Sequence, residues 1–109
     1  MKGFFADTSG WLALADRSQL EHRTAQSVFN QRVKWRHEHV LTTNYVLGEL
    51  IALLGSRTSL PRTEVLAFVR TVRESLHVEV VHVDPPLDAA AWELLDQRLD
   101  KSWSLTDAV

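Results

Sequence analysis

The sequence predicts an α/β protein in which a short parallel sheet is flanked by helices. Short apolar runs at residues 3–6, 40–43 and 78–83 have the length and composition of strands. Segments whose apolar residues recur at helical spacing lie between them. Strands that alternate with helices need crossover connections, which make the strands parallel. The 109 residues suffice for a single small domain, residues 1–109, without repeat or linker.

The first strand covers residues 3–6 and ends at Asp7. A capping turn at residues 8–9 follows, and the apolar residues 11–15 predict a short helix. A longer amphipathic helix is predicted over residues 21–38. Four apolar side chains recur there near helical spacing among polar ones, namely Ala25, Val28, Phe29 and Val33.

The second strand, residues 40–43, leads into an apolar segment, Tyr45–Leu54. Thr43 or Asn44 is expected to cap a helix there, because both side chains can accept a hydrogen bond from the first free amides. Gly55-Ser56 is expected to end this helix.

The last third of the chain predicts helix, strand and helix. Ser59–Pro61 begins a helix whose apolar stripe is Val65, Val69, Val72 and Leu76. Residues 78–83 form the clearest strand, which Asp84-Pro85-Pro86 stops. Residues 87–99 follow as a helix, and the apolar side chains expected to face inward are Leu87, Ala91, Leu94 and Leu95.

The composition excludes several classes of protein. No run of 18 or more apolar residues is present, so no membrane span is predicted. The apolar start is too brief for a signal peptide. The absence of cysteine excludes disulfides and thiolate metal sites, and we expect a cytoplasmic protein.

Charge is distributed unevenly along the chain. Residues 17–73 hold nine Lys or Arg against four Asp or Glu, whereas residues 74–109 hold two against eight. A basic segment beside a group of acids fits a nucleic-acid enzyme, in which cations hold phosphate and carboxylates hold metal. Solvated helix faces are the alternative explanation.

Glu49 is the one ionisable side chain in the apolar segment Tyr45–Leu54. No Lys or Arg lies three or four residues away to compensate it. Burying an ionised carboxylate without a partner costs several kcal/mol, roughly. Glu49 is therefore either solvated at the edge of the helix or retained for a purpose such as binding a metal ion.

Two further acids occupy comparable positions. Asp7 ends the first strand, and Asp107 lies in Ser104-Leu105-Thr106-Asp107, the pattern that caps a helix. Ligands of open parallel sheets bind beyond the carboxyl ends of the strands, where such side chains converge. Carboxylates brought together there would suit a hard cation such as Mg²⁺ or Mn²⁺. As alternatives, Asp7 serves only as an N-cap and Asp107 only as a capping acid.

Other candidate sites have weaker support. Asp84 follows a strand, as the phosphoacceptor of a response-regulator receiver does, but a turn acid before Pro85 is the simpler interpretation. The histidines show no convincing metal pair. The four tryptophans are expected in the core or at interfaces more often than as platforms for RNA bases; they are Trp11, Trp35, Trp92 and Trp103.

Three segments together resemble the PIN-domain family, and most closely its VapC-type ribonuclease toxins from prokaryotic toxin–antitoxin pairs. They are Ala6-Asp7-Thr8-Ser9-Gly10-Trp11, Thr42-Thr43-Asn44-Tyr45-Val46-Leu47-Gly48-Glu49 and Ser104-Leu105-Thr106-Asp107-Ala108. Each motif is short, but the three occur in the order and at the spacing of the family, across the whole chain. The resemblance implies a three-layer sandwich with a short parallel sheet.

The resemblance also implies a Mg²⁺- or Mn²⁺-dependent endoribonuclease. Asp7, Glu49 and Asp107 would be its catalytic, metal-binding carboxylates. Thr8 or Ser9 would hydrogen-bond at the site, and Thr106 would support Asp107. RNA would be the substrate, and the partners would be a cognate antitoxin and a second copy in a homodimer.

The chain departs from the family pattern after the third acid. Family members continue through a helix to another strand, and these later strands lie beside the first one. Their absence would leave Phe4-Phe5 on an exposed edge, which tends to pair with other chains. We therefore expect a domain truncated at its C-terminus, and the alternative function is an inactive remnant that acts only through contacts with other proteins.

Overall fold

The computed structural model describes residues 3–102 and 104–109. Its elements, in chain order, are β1 (Gly3–Phe5), α1 (Thr8–Ala15), α2 (His22–Phe29), β2 (His39–Thr43), α3 (Asn44–Arg57), α4 (Arg62–Glu74), β3 (Val78–Val81), α5 (Pro85–Gln97) and α6 (Leu105–Ala108). A π-helical segment, Asn30–Trp35, continues α2. The fold class predicted from the sequence, a short parallel sheet flanked by helices, is confirmed.

The three described strands form one parallel sheet in the order β1-β2-β3. Phe4 pairs with Val40 in its register, and Leu41 pairs with Glu79. Gly3 is required by the close approach of β1 to β2, because a Cβ atom there would lie 2.9 Å from the backbone oxygen of His39. The order leaves β1 on one edge of the described sheet.

Helix α3 lies at the centre of the packing. It contacts α1, α4, α6 and β2. Thr43 caps it by accepting a hydrogen bond from the amide of Val46 at 3.1 Å, as predicted for Thr43 or Asn44. The buried apolar side chains of the core are Trp11, Val33, Val40, Val46, Leu47, Leu50, Leu54, Val65, Val69 and Val72.

The predicted stripe of α4 is correct at Val65, Val69 and Val72 but wrong at Leu76. Leu76 is 91% exposed, because α4 ends at Glu74 and Ser75 is already extended. A tight turn follows, in which the amide of Val78 donates to the oxygen of Ser75. Periodicity alone extended the stripe two residues beyond the last helical residue, Glu74.

Other boundaries also differ from the prediction. The helix expected over residues 21–38 ends at Trp35 and is π-helical from Asn30. Strand β3 is two residues shorter than expected, because the amide of Val83 donates to Asn44 Oδ1 at 2.7 Å and leaves the ladder. Helix α5 spans Pro85–Gln97 instead of residues 87–99, and α3 ends at Arg57, beyond Gly55-Ser56.

Within the described ranges, no helix is both long enough and apolar enough to cross a membrane. This agrees with the absence of an apolar run of that length in the sequence.

Candidate functional site

Asp7 lies where β1 ends and α1 begins, at the carboxyl edge of the sheet. Its Oδ1 accepts hydrogen bonds from the amide of Gly10 at 3.0 Å and from the hydroxyl of Ser9 at 2.8 Å. It is the N-cap of α1, so the capping role considered for Asp7 is observed. Both bonds use Oδ1, and Oδ2 accepts no hydrogen bond within the described residues.

A buried contact fixes α1 against the ends of β1 and β2. The indole N–H of Trp11, which is 2% exposed, donates to Thr42 Oγ1 at 3.2 Å. The hydroxyl of Thr42 in turn donates to the carbonyl of Ala6 at 3.3 Å. Because Ala6 directly precedes Asp7, this contact sets the position of the predicted site residue.

Glu49 lies in the second turn of α3 and is half-buried. It forms no hydrogen bond or ion pair within the described part of the chain. Next to it, Gly48 is exposed, and a Cβ there would meet open space. The carboxylate is thus neither deeply buried nor neutralised by a cationic neighbour.

Asp107 belongs to the short helix α6, which contacts α3 and α5. The predicted capping box is present: the amide of Asp107 donates to Ser104 Oγ at 3.1 Å, and the amide of Ser104 donates to Asp107 Oδ2 at 3.0 Å. Asp107 Oδ1 takes no part in this box.

All six residues that the sequence predicted for the site line one cleft of about 820 Å³. They are Asp7, Thr8, Ser9, Glu49, Thr106 and Asp107. Within residues 3–102 and 104–109, however, no three His, Asp or Glu side chains lie close enough together to hold a metal ion as a group. The assignment of the three carboxylates as metal ligands stays a prediction.

The cleft also contains a cationic residue that the sequence analysis did not single out. Arg57, at the end of α3, is the one Lys or Arg among the described residues that line it. Glu49, Leu53 and Arg57 are spaced four residues apart and all line the cleft. That spacing was the available signal, but it predicts a shared helix face without showing that the face borders the site.

The remaining candidates take other positions. Asp84 caps α5 by accepting from the amide of Leu87 at 3.0 Å, as expected for a turn acid. Trp11 lies in the core as predicted, whereas Trp35 is 81% and Trp92 is 56% exposed. Trp103 lies outside the described residues.

One titratable pair lies beside the first turn of α3. The hydroxyl of Tyr45 donates to Asp88 Oδ1 on α5, and this bond raises the pKa of Tyr45. The bond joins the helix that carries Glu49 to α5, and so helps to fix where α3 begins.

The PIN domain family matches residues 4–108 of the chain. A protein named 23S rRNA-specific endonuclease VapC20, from Mycobacterium tuberculosis strain CDC 1551 / Oshkosh, is 36% identical over 104 residues. That alignment covers 95% of this chain and 74% of the relative. The protein of the same name from strain H37Rv matches with the same identity and coverage.

A crystal structure of Mycobacterium tuberculosis VapC20, described as a sarcin-ricin loop cleaving toxin, has the same fold. It superposes with a TM-score of 0.81 and 32% sequence identity, over 97% of this chain and 76% of that chain. The resemblance inferred from three short motifs is confirmed. The chain belongs to the PIN-domain family, and within it to the VapC-type ribonucleases.

Proposed function

We propose that this chain is a metal-dependent endoribonuclease, the toxin of a toxin–antitoxin pair, which hydrolyses RNA phosphodiester bonds. The observation that carries the proposal is that Asp7, Glu49 and Asp107 line the same cleft. These acids are 42 and 58 residues apart in the sequence, so the fold has to bring them to one place. The names of the relatives, both endonucleases, support the same activity.

The chemistry of the cleft fits a hard divalent cation. Its described lining offers carboxylate oxygens and the hydroxyls of Thr8, Ser9 and Thr106, and contains no His or Cys. Oxygen donors are the ligands that Mg²⁺ and Mn²⁺ prefer. When bound, such an ion polarises a phosphodiester and lowers the pKa of a water molecule that it binds. Asp7, Glu49 and Asp107 would hold it.

Other residues of the chain would orient these ligands and the substrate. Ser9 holds one oxygen of Asp7 through its hydroxyl, which leaves the second oxygen for the ion. The capping box does the same for Asp107. Arg57 would hold an RNA phosphate, since a guanidinium offers several donors to phosphate oxygens. Hydrogen bonds such as those of Ser9 to Asp7 and of Ser104 to Asp107 fix the orientation of metal ligands.

The relatives' names make 23S rRNA the first RNA to test as substrate. Such a substrate places the proposed activity in the cytoplasm. A cognate antitoxin and a second copy of the chain are the proposed protein partners.

The activity is tested by incubating the protein with intact ribosomes and with a mixed RNA pool, with Mg²⁺, with Mn²⁺ or with EDTA. We expect cleavage that needs the metal and a cleavage rate about 10- to 100-fold lower, or lower still, in Glu49→Gln. Loss of a residue that only hydrogen-bonds to a metal ligand already lowers activity by that factor. Glu64→Gln is the matched control, because Glu64 is an exposed acid on the neighbouring helix α4. Equal cleavage by Glu49→Gln and the wild type would contradict the proposal.

A second candidate function is binding to another protein chain without catalysis. The observation that favours it is the edge position of β1, where Phe5 is 57% exposed. An apolar cavity of about 300 Å³ lies alongside, between β1, α1 and α2. Exposed edges of this kind pair with strands from other chains. Protein binding without RNA cleavage under any metal condition would favour this candidate.

A further inference from the structure

We propose that α2 and the π-helical segment form a second RNA-contacting surface, with Trp35 as a stacking platform for a base and Arg23 and Arg36 as phosphate contacts. The inference rests on the proposed function, since it assigns a further contact for the same substrate. The surface is an open groove of about 810 Å³. It shares no lining residue with the carboxylate cleft.

Trp35 is highly exposed to solvent for a tryptophan. It is 81% exposed, whereas Trp11 on the neighbouring helix is 2% exposed. The indole ring of Trp35 is therefore open to a planar partner, and it offers a large, rigid surface for stacking. Every base has a π-face, and stacking on an aromatic ring is the common way in which proteins bind single-stranded RNA.

The charges around Trp35 favour a polyphosphate partner. Arg23, Lys34 and Arg36 are exposed, and none of them forms an ion pair within the described residues. The described groove lining contains no acid, so no carboxylate in it would repel a phosphate. Free cations next to an aromatic ring match the pattern of a single-strand binding surface.

The other lining side chains favour RNA over a protein helix. Gln26, Asn30 and Gln31 line the groove with amide groups, which can donate to and accept from the edges of a base. A partner helix in a groove would need a continuous apolar floor. Trp35 is the one large apolar side chain among the described lining residues.

The backbone beneath Trp35 is firmly held. In the π-helical segment the amide of Arg36 donates to the oxygen of Gln31, five residues earlier, at 3.2 Å. Val33, on the inner side of this segment, is fully buried. π-helical turns are rare and occur frequently at functional sites.

An ion pair closes the segment. Arg32 makes two hydrogen bonds of 2.9 Å to the buried carboxylate of Glu38, and its guanidinium lies 4.2 Å from the ring centre of Phe4. Both sides of the turn that carries Trp35 and Arg36 are thereby fixed to the sheet. A platform that is ordered before RNA arrives loses little entropy on binding.

The topology separates this surface from the proposed site of cleavage. Trp35 precedes β2, whereas the carboxylates lie at the carboxyl ends of the strands. The five residues of β2 span about 15 Å. The groove would therefore hold RNA away from the scissile bond. Substitutions in the groove should weaken RNA binding and leave the rate of the chemical step unchanged.

The test measures the anisotropy of a fluorescein-labelled, single-stranded RNA of mixed sequence in EDTA, where metal-dependent cleavage is absent. We expect Trp35→Ala to weaken binding about 5- to 100-fold, the range for losing one stacked base, and Trp35→Phe to restore most of it. Trp92→Ala is the matched control, because Trp92 is also exposed but lies on α5. Its affinity should equal that of the wild type.

The charges are tested through the dependence of binding on salt. The plot of log association constant against log salt concentration has a negative slope, and the double variant Arg23→Ala/Arg36→Ala should make it less steep by about 1.4. Each phosphate contact on a single strand contributes about 0.7 to the steepness. Arg70→Ala/Arg73→Ala, two exposed arginines of α4, is the control for a general loss of charge. An equal fall in both double variants would overturn the assignment of phosphate contacts to this groove.

The outcomes separate this inference from the proposed ribonuclease activity. Weaker binding by Trp35→Ala, in a protein that cleaves no RNA with any metal, supports the surface and counts against the activity. If the wild type cleaves RNA with metal and Trp35→Ala binds RNA within twofold of the wild type, the proposed surface is overturned and the proposed activity is not. If Trp35→Ala loses self-association but binds RNA as the wild type does, the proposed surface is also overturned, and the groove is an interface between proteins.

Discussion

At the residue scale, the sequence predicted the three acids as candidates but left open whether Asp7 and Asp107 serve only as capping residues. Glu49 was conspicuous because an acid in an apolar segment needs a reason, and the structure places it on the wall of the cleft. Asp7 serves as the N-cap of α1 and lines the same cleft, so capping does not exclude a role in the site. Arg57 was missed because its position beside the cleft depends on how α3 packs.

The two roles of Asp7 can be separated by substitution. Asp7→Asn keeps an oxygen that accepts from the amide of Gly10, so we expect the free energy of unfolding to stay close to that of the wild type. Asp7→Ala removes the cap and should cost about 1 kcal/mol. Both variants should bind Mn²⁺ weakly, because neither keeps the carboxylate. Urea unfolding measures the change in the free energy of unfolding. If Asp7→Asn binds Mn²⁺ as tightly as the wild type, Asp7 is not a metal ligand.

At the element scale, the centres of helices and strands were predictable, and their ends depended on contacts between distant residues. Caps read from the sequence were right where the partner is local, as for Thr43 and the Ser104–Asp107 box. The early end of β3 depends on Asn44, which is 39 residues away in the chain. The π-helical segment has no signature in the apolar periodicity, since its register differs only in the backbone hydrogen bonds.

The bond between Tyr45 and Asp88, which joins α3 to α5, should give the protein a stability that depends on pH. The bond raises the pKa of Tyr45 in the folded state above its value of about 10 in the unfolded chain. The stabilisation is therefore complete below about pH 10 and is lost as the pH rises through the folded pKa. Urea unfolding of the wild type and of Tyr45→Phe at neutral and alkaline pH measures it. A difference that stays constant as the pH rises would contradict this prediction.

At the scale of the whole molecule, the alternation of strands and helices was enough to predict a parallel sheet, whereas the order β1-β2-β3 was not predictable from local patterns. The homodimer and the truncated domain expected from the family resemblance stay predictions. The edge position of β1 and the exposed Phe5 beside an apolar cavity are the features on which self-association would depend.

We expect the wild type to self-associate through this edge and Phe5→Lys to be largely monomeric, because a charged side chain blocks the pairing of edge strands. The substitution should change the free energy of unfolding by no more than about 0.5 kcal/mol, as at other surface positions. Sedimentation velocity over a range of concentrations measures the association. Leu99→Lys is a control on another exposed apolar residue. Equal association in the wild type and Phe5→Lys would exclude this edge as the interface.

The central claim is that Asp7, Glu49 and Asp107 act together on one divalent ion in the cleft that they line. It is tested most directly by titrating Mn²⁺ against the wild type and the three single variants Asp7→Asn, Glu49→Gln and Asp107→Asn, with free Mn²⁺ followed by its electron paramagnetic resonance signal. We predict one ion per chain in the wild type and an affinity at least about 10-fold weaker in each variant. Binding of the same strength in the wild type and all three variants would contradict the claim.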